Sequence, residues 1–260
     1  MPFTETKGVR LHWDEQGEGS AVLLIMGHRF SSRMWYPVIP ALAAKHRVIW
    51  FDNRGTGESS APRNATMADL VADATAVLDA AGVDQAHVYG VSMGGVIAQE
   101  LALRSPERVL SLALGCTTVG SEDVKRASKW RYLLYWVPFR LYADRARKTL
   151  YGPAAPAEAV ERDIAMLAED RFDPRGVVAQ AKAMASYTTT FDRIAGIDTP
   201  ALVLHGTADT VVPFYLGEQL AAVLDAPLVA FEGAGHSYFA ADTDRANKEV
   251  LGLFEAIDHG

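Results

Sequence analysis

Short apolar runs alternate along this chain with longer stretches in which apolar residues recur at helical spacing. The apolar runs occupy residues 21–26, 47–52, 86–91, 109–114, 200–204 and 227–231. The helical stretches occupy residues 35–44, 67–81, 93–104, 214–224 and 242–257. Run 21–26 contains no polar residue, which is typical of a strand covered on both faces. Regular alternation of strand and helix predicts an α/β fold with a doubly wound, mostly parallel sheet.

The pattern differs at two places. Near the start, residues 3–6 and 9–14 flank Lys7-Gly8, which predicts a short hairpin. Between residues 120 and 192 no strand-like run occurs, and aromatic side chains crowd into the first half of this segment. We interpret the chain as a single domain over residues 1–260, with a helical cap inserted at 120–192. Most of these aromatics are expected to pack the cap onto the core, whereas Trp130 and Trp136 are candidates for the wall of an apolar pocket.

The run at 86–91 leads into Gly90-Val91-Ser92-Met93-Gly94 and then directly into a helix. A serine between a strand and a helix in this pattern predicts a nucleophile elbow, in which the backbone is strained. The residues two positions before and after must then be nearly without side chains, and Gly90 and Gly94 meet that need. The turn would place the Ser92 hydroxyl at a helix N-terminus, where free N–H groups favour negative charge.

A serine hydroxyl is a weak nucleophile at neutral pH, so it needs a base, and the base needs an orienting acid. His236 lies just past a strand, in a glycine-rich loop, and is the predicted base. Asp209 follows the strand at 200–204 at the same edge of the sheet and is the predicted acid. Other histidines are interpreted as structural or as part of a fraying terminus; these are His12, His46, His87 and His259.

With these residues in place, the sequence resembles the α/β-hydrolase superfamily, and within it the small esterases and enol-lactonases. The resemblance rests on residues 24–35, 52–59, 90–95, 206–213 and 233–236, and the order Ser92, Asp209, His236 is that of the superfamily. It implies an oxyanion hole formed by the backbone N–H groups of Met93 and His28. The superfamily often has His-Gly at the position of Met26-Gly27, a departure that leaves a backbone donor intact.

The resemblance also places Arg29 at the pocket wall, where a guanidinium could bind a carboxylate of the substrate. Solvent exposure or an ion pair with an acid of the cap is the alternative for this side chain. The expected function is a cofactor-independent serine hydrolase that cleaves a small apolar carboxylic ester or lactone through an acyl-enzyme on Ser92. A hydrolase of carbon–carbon bonds in a dienoic keto acid, and a non-catalytic ligand receptor on the same fold, are the alternatives.

Composition narrows the classes of partner, compartment and cofactor that the protein could have. The 260 residues carry a net charge of −7, which disfavours a nucleic-acid partner. Basic residues gather between Lys125 and Lys148, but aromatic and apolar residues interrupt them, which indicates a solvated helix face. The chain has one cysteine, Cys116, so an internal disulfide is excluded. It shows no signal peptide, membrane span or metal motif, so we expect a cytoplasmic protein without metal or cofactor.

Overall fold

The computed structural model describes residues 2–120 and 143–260, and its centre is an eight-stranded sheet in the order β1-β2-β4-β3-β5-β6-β7-β8. The strands are β1 Phe3–Thr6, β2 Val9–Gln16, β3 Ala21–Ile25, β4 Arg47–Phe51, β5 Ala86–Val91, β6 Val109–Gly115, β7 Ala201–Gly206 and β8 Leu228–Phe231. The helices are α1 Ile39–Ala43, α2 Met67–Ala80, α3 Met93–Arg104, α4 Ala143–Leu150, α5 Ala157–Glu169, α6 Pro174–Ser186, α7 Phe191–Ile194, α8 Phe214–Val223, α9 Tyr238–Ala241 and α10 Thr243–Asp258.

Strand pairing confirms the predicted topology. β1 and β2 form the expected antiparallel hairpin, β2 also pairs antiparallel with β4, and the remaining pairs are parallel. From β3 the chain moves outward to β4, then returns and adds β5 on the opposite side of β3. The strand order therefore reverses between β3 and β5, and such a switch point opens a crevice at the carboxyl ends of the strands.

The sheet is buried on both faces. Along β3, Val22 and Leu24 belong to one apolar cluster, while Leu23 and Ile25 belong to the other. All four side chains are completely buried. α1 and α10 pack in the cluster of Val22 and Leu24, and α2 and α3 pack in the cluster of Leu23 and Ile25. The uninterrupted apolar run of β3 is thus explained by helices on both sides.

One predicted helix is shorter than expected. The sequence pattern predicts a helix over 35–44, whereas the structure has a 3-10 turn at Ser32–Trp35 followed by α1 at Ile39–Ala43. Pro37 and Pro40 account for the difference. Proline lacks an N–H donor and disfavours helical conformation in the residue before it, so one continuous helix is not formed here.

The predicted cap is described from residue 143 onward. Residues 121–142 lie outside the described residues, so the boundaries 120–192 remain a prediction. From 143 to 194 the chain forms α4 to α7. This part is joined to the loop after β4 by two backbone bonds, Gly57 N to Arg171 O (2.7 Å) and Asp173 N to Gly55 O (2.9 Å). A Cβ on Gly55 would lie 2.6 Å from the Gly176 Cα, so a side chain there would separate the two segments.

Within residues 2–120 and 143–260, no helix has both the length and the apolar character that crossing a membrane requires.

Candidate active site

Ser92 lies in the sharp turn between β5 and α3, with φ 57° and ψ −118°. This left-handed backbone is strained for a residue with a side chain. The flanking glycines make the turn possible. A Cβ on Gly94 would lie 2.0 Å from the carbonyl oxygen of Ile25, and one on Gly90 would lie 2.3 Å from that of Gly94. These predicted glycine positions thus face backbone atoms that a side chain could not displace.

Hydrogen bonds hold the turn in this conformation. The Ser92 N–H donates to the Gly115 carbonyl at 2.8 Å, and the Thr117 hydroxyl donates to the Ser92 carbonyl at 2.7 Å. That carbonyl also accepts the first backbone bond of α3, from Gly95 N at 3.0 Å. Met93 is the first residue of α3, where backbone N–H groups have no partner within the helix. The Ser92 side chain therefore stands beside free donors at the positive end of a helix.

Asp209 and His236, which are 27 residues apart, are brought together by the loops after β7 and β8. His236 Nδ1 lies 2.7 Å from Asp209 Oδ2. The other carboxylate oxygen of Asp209 accepts backbone bonds from Val211 (2.7 Å) and Val212 (2.9 Å). These two backbone bonds fix the orientation of the carboxylate, and an ionised carboxylate accepts a hydrogen bond from Nδ1–H of His236.

The Asp209 side chain is fully buried. Burial by itself raises the pKa of this carboxyl, but attraction to His236 and hydrogen bonds from His205, His236 and Val212 outweigh it. The net effect holds the pKa of Asp209 well below its ordinary range. Asp209 is consequently a charged acceptor throughout the neutral range.

His205, which the sequence reasoning did not assign, is a further neighbour of Asp209. Its Nε2 donates to the Val212 carbonyl at 2.8 Å and lies 3.5 Å from Asp209 Oδ2. The side chain is completely buried at the end of β7. One feature of the sequence does distinguish His205. It is a polar residue at the end of an otherwise apolar strand, four positions before the predicted acid Asp209.

Ser92 and His236 line one cavity of about 200 Å³ at the carboxyl edge of the sheet. Most of its wall in the described residues is apolar, with contributions from Met26, Phe30, Met34, Leu150 and Phe239. The structure therefore brings the predicted nucleophile and the predicted base to the same small, largely apolar space. Such a space suits an organic group more than an extended polymer.

The loop after β3 passes directly over the serine. A Cβ on Gly27 would lie 3.2 Å from the Ser92 Cβ, so the backbone of residues 27–28 runs against the Ser92 side chain. His28 lines the cavity, and its imidazole Nε2 donates to the Val177 carbonyl of α6 at 3.0 Å. The role of its backbone N–H as an oxyanion donor stays a prediction.

Arg29 lines the cavity, where the sequence reasoning placed it. Its backbone is left-handed (φ 77°), and its N–H donates to Gln180 Oε1 of α6 at 3.0 Å. The guanidinium lies 4.8 Å over the ring of Phe172. Gln180 also donates to the Arg54 carbonyl at 2.8 Å, so one side chain of α6 is hydrogen-bonded to both the loop after β3 and the loop after β4.

The family model of the alpha/beta hydrolase fold matches residues 20–242, which is most of the chain. The protein belongs to this family. The match contains Ser92, Asp209 and His236, together with every strand from β3 to β8.

Several relatives match this hydrolase over nearly its full length. A protein of Azorhizobium caulinodans with the provisional name carbamate hydrolase RutD is 34% identical, covering 99% of this chain and 100% of its own. The provisionally named non-heme bromoperoxidase BpoC of Mycobacterium tuberculosis is 32% identical, with 96% and 99% covered. Among solved structures, the enol-lactonase from Burkholderia xenovorans matches with a TM-score of 0.87 and 26% identity, over 98% of this chain and 100% of its own.

Trp130 and Trp136, the predicted aromatic wall, lie outside the described residues, so their part in the pocket stays a prediction.

Within residues 2–120 and 143–260, candidate metal-ligand atoms cluster on Cys116, His205 and Asp209, within 4.8 Å of one another. The absence of a metal site stays a prediction. Burial, followed by the negative charge of Asp209, raises the pKa of the Cys116 thiol well above its usual value. A neutral, buried thiol beside an already bonded carboxylate is a poor ligand set.

Proposed function

We propose that this hydrolase is a cofactor-independent serine hydrolase that cleaves a small carboxylic ester or lactone through an acyl-enzyme on Ser92. The observation that carries the proposal is the 2.7 Å bond between Asp209 and His236, formed beside a cavity that His236 shares with Ser92. An acid, an imidazole and a strained serine at one cavity are the parts that acyl transfer requires.

In this mechanism the Ser92 hydroxyl attacks the carbonyl carbon while His236 Nε2 accepts its proton. The Asp209 carboxylate stabilises the imidazolium that forms, through its bond to Nδ1. The oxyanion receives hydrogen bonds from the backbone N–H groups of Met93 and His28. His236 then returns the proton to the leaving alcohol, and a water molecule that it activates releases the acid from Ser92.

The substrate class follows from the cavity wall and from the relatives. Apolar residues dominate the described wall, which favours a short or cyclic hydrocarbon portion over a polar one. One similar structure is named an enol-lactonase, and another, from Thermogutta terrifontis, is named an esterase. Both names refer to acyl–oxygen bonds, which the proposed acyl-enzyme route cleaves.

Hydrolysis of p-nitrophenyl esters of increasing acyl length, together with a lactone panel, tests this proposal. Each substrate is given to the wild-type protein, to Ser92→Ala and to Thr210→Ala. Thr210 is an exposed neighbour of Asp209 that does not line the cavity, so its variant controls for handling and folding. We expect wild type and Thr210→Ala to turn over the shorter esters, and Ser92→Ala to be inactive.

The same assay separates the alternatives. Equal activity in wild type and Ser92→Ala would reject Ser92 as the nucleophile. Activity toward a dienoic keto acid in the absence of ester or lactone hydrolysis would favour a carbon–carbon hydrolase. Saturable ligand binding without turnover of either class would indicate a receptor on the same fold.

A further inference from the structure

The loop after β3 is held by side-chain hydrogen bonds on both sides of the proposed oxyanion donor, the His28 N–H. Before it, the Met26 carbonyl accepts a bond from Asn53 Nδ2 at 2.8 Å. After it, the Arg29 N–H donates to Gln180 Oε1 at 3.0 Å. Each peptide is planar and a residue has only two soft dihedral angles. The two anchored peptides therefore limit the directions in which the N–H between them can point.

Gln180 uses both ends of its amide in this arrangement. Its side chain is completely buried on α6. The side-chain oxygen accepts from Arg29, and Nε2 donates to the Arg54 carbonyl at 2.8 Å. A flipped amide would set an N–H against an N–H and a carbonyl against a carbonyl, leaving buried polar groups unpaired. Gln180 consequently has one favoured orientation, which fixes the loop after β3 relative to the loop after β4.

The backbone that Gln180 holds is in an uncommon conformation. Arg29 has φ 77°, in the left-handed region that residues with a side chain rarely adopt. Such a conformation persists where surrounding contacts over-determine it. The bond to Gln180 opposes relaxation of this backbone toward a common conformation, a change that would turn the neighbouring peptide of His28.

The helix that carries Gln180 has a fixed place over the two loops. Gly176 of α6 and Gly55 of the loop after β4 pack backbone against backbone, since a Cβ on Gly176 would lie 2.5 Å from the Gly55 Cα. One residue further along α6, the Val177 carbonyl accepts the bond from the His28 imidazole at 3.0 Å. α6 thus contacts both loops next to Gln180, and a shift of the helix alone would break these contacts.

We propose that Gln180 is a positioning residue of the oxyanion hole, whose bond to the Arg29 N–H orients the adjoining His28 N–H toward the oxyanion. This inference rests on the proposed function. Gln180 is not among the described residues that line the cavity, so it acts through the backbone and not by touching the substrate. A donor stabilises the transition state most when it is already in place before the reaction. Loss of the Gln180 bond should therefore weaken the transition state more than ground-state binding.

Paired ketone inhibitors test the proposal, because they separate oxyanion stabilisation from ordinary binding. With a trifluoromethyl ketone, the Ser92 oxygen adds to the carbonyl carbon, the Ser92 proton passes to His236, and the carbonyl oxygen becomes an anion. The methyl ketone with the same chain is a poor electrophile and reports ground-state binding. The measured quantity is the ratio of Ki for the methyl ketone to Ki for the trifluoromethyl ketone, together with kcat/KM for a p-nitrophenyl ester.

Gln180→Met keeps the length of the side chain and removes both hydrogen bonds. We expect the ratio of Ki values and kcat/KM each to fall by about 10- to 100-fold, the scale of a misplaced oxyanion donor, with little change in Ki for the methyl ketone. Lys182→Met is the control, because it introduces the same residue at an exposed position of α6. It should leave the ratio unchanged.

Gln180→Glu supplies a conservative variant for rescue. A carboxyl group offers the Arg29 N–H an acceptor in either protonation state. We expect Gln180→Glu to keep most of the ratio that Gln180→Met loses. Circular dichroism checks the fold of each variant. Gln180→Asn, whose amide is one methylene shorter and cannot reach both loops, takes the place of Gln180→Met if that protein does not fold.

The failure of this inference can be told apart from the failure of the proposed function. If wild type hydrolyses esters through Ser92 but Gln180→Met keeps the wild-type ratio, the proposed function stands and the role of Gln180 is overturned. An equal loss in Gln180→Met and Gln180→Glu, or a loss shared by Lys182→Met, would also overturn it. If wild type shows no hydrolysis that depends on Ser92 and binds both ketones as Ser92→Ala does, the proposed function and this inference fail together.

Discussion

Asp209 keeps its charge in a buried position because donors replace the water that it loses. Two backbone N–H groups, His205 and His236 surround the carboxylate, and together they hold its pKa low. In the proposed mechanism this fixed charge does two things. It selects the tautomer of His236 that leaves Nε2 free, and it stabilises the imidazolium in the transition state.

Asp209→Asn tests this role of the carboxylate. The amide keeps the size of the side chain but cannot stabilise an imidazolium, and it favours the wrong tautomer of His236. We expect kcat to fall by about 10⁴. Steady-state kinetics on the best p-nitrophenyl ester measures the loss, and circular dichroism checks that the fold is retained. Activity within a fewfold of wild type would show that another acid orients the histidine.

Much of the site could be anticipated at the residue scale because its chemistry imposes local sequence constraints. Gly90 and Gly94 must be glycine because a side chain there would collide with backbone atoms. Asp209 and His236 each follow a strand that its apolar run identifies in the sequence. His205 could not be assigned in the same way. Its place beside Asp209 depends on which neighbours the fold brings, and a histidine in a strand has no distinctive spacing.

At the scale of elements, the close contact between α3 and β3 is the feature on which the elbow depends. The start of α3 lies so near the end of β3 that the Gly94 position touches the Ile25 carbonyl. The serine is lifted out of the sheet because the helix begins immediately after it. This geometry couples the stability of the sheet to the position of the nucleophile.

Gly94→Ala should therefore destabilise the protein, by about 2–3 kcal/mol, since both colliding groups are backbone and cannot move aside cheaply. Gly252→Ala is the matched control, because a Cβ on Gly252 in α10 meets nothing within 4 Å. The same change there should raise stability by about 0.5–1 kcal/mol through higher helix propensity. Urea unfolding of both variants measures the difference. The steric account would be contradicted if Gly94→Ala raised the free energy of unfolding or left it unchanged.

The elements themselves were largely predictable, since buried strands and amphipathic helices have clear periodicities. All eight strands of the sheet coincide with runs identified in the sequence, within two residues at their ends. α2 begins one residue after Thr66, which forms a capping box with Asp69. The stretch at 35–44 was the exception, because two prolines broke a pattern that hydrophobic spacing alone presents as a helix.

At the scale of the whole molecule, the C-terminal helix is attached to the sheet through a buried pair of histidines. His87 of β5 lies 3.0 Å from Asp258 of α10 and 2.8 Å from the Ser111 hydroxyl. His46 Nδ1 forms a hydrogen bond with the Ser20 hydroxyl, which in turn donates to Asp258 Oδ2 at 2.6 Å. Burial lowers the pKa of both histidines, and it outweighs the opposing effect of Asp258.

The joint contribution of His46 and His87 to stability should consequently fall as the pH drops below 6.5, the ordinary pKa of histidine. There the unfolded chain takes up protons on His46 and His87 that the folded protein resists, so protonation favours unfolding. His87→Gln should flatten the slope of unfolding free energy against pH below 6.5. His259→Gln, at the exposed C-terminus, is the control and should keep the wild-type slope. Parallel curves for wild type and His87→Gln would contradict this assignment.

The central claim is that turnover proceeds through a covalent bond to Ser92, and active-site titration tests it most directly. The protein is treated with p-nitrophenyl diethyl phosphate, which transfers a phosphoryl group to an activated serine, and esterase activity and intact mass are followed together. We expect activity to fall in proportion to a single adduct, located by peptide mass spectrometry on Ser92. An adduct on another residue that accompanies the loss, or full activity with Ser92 modified, would contradict the account.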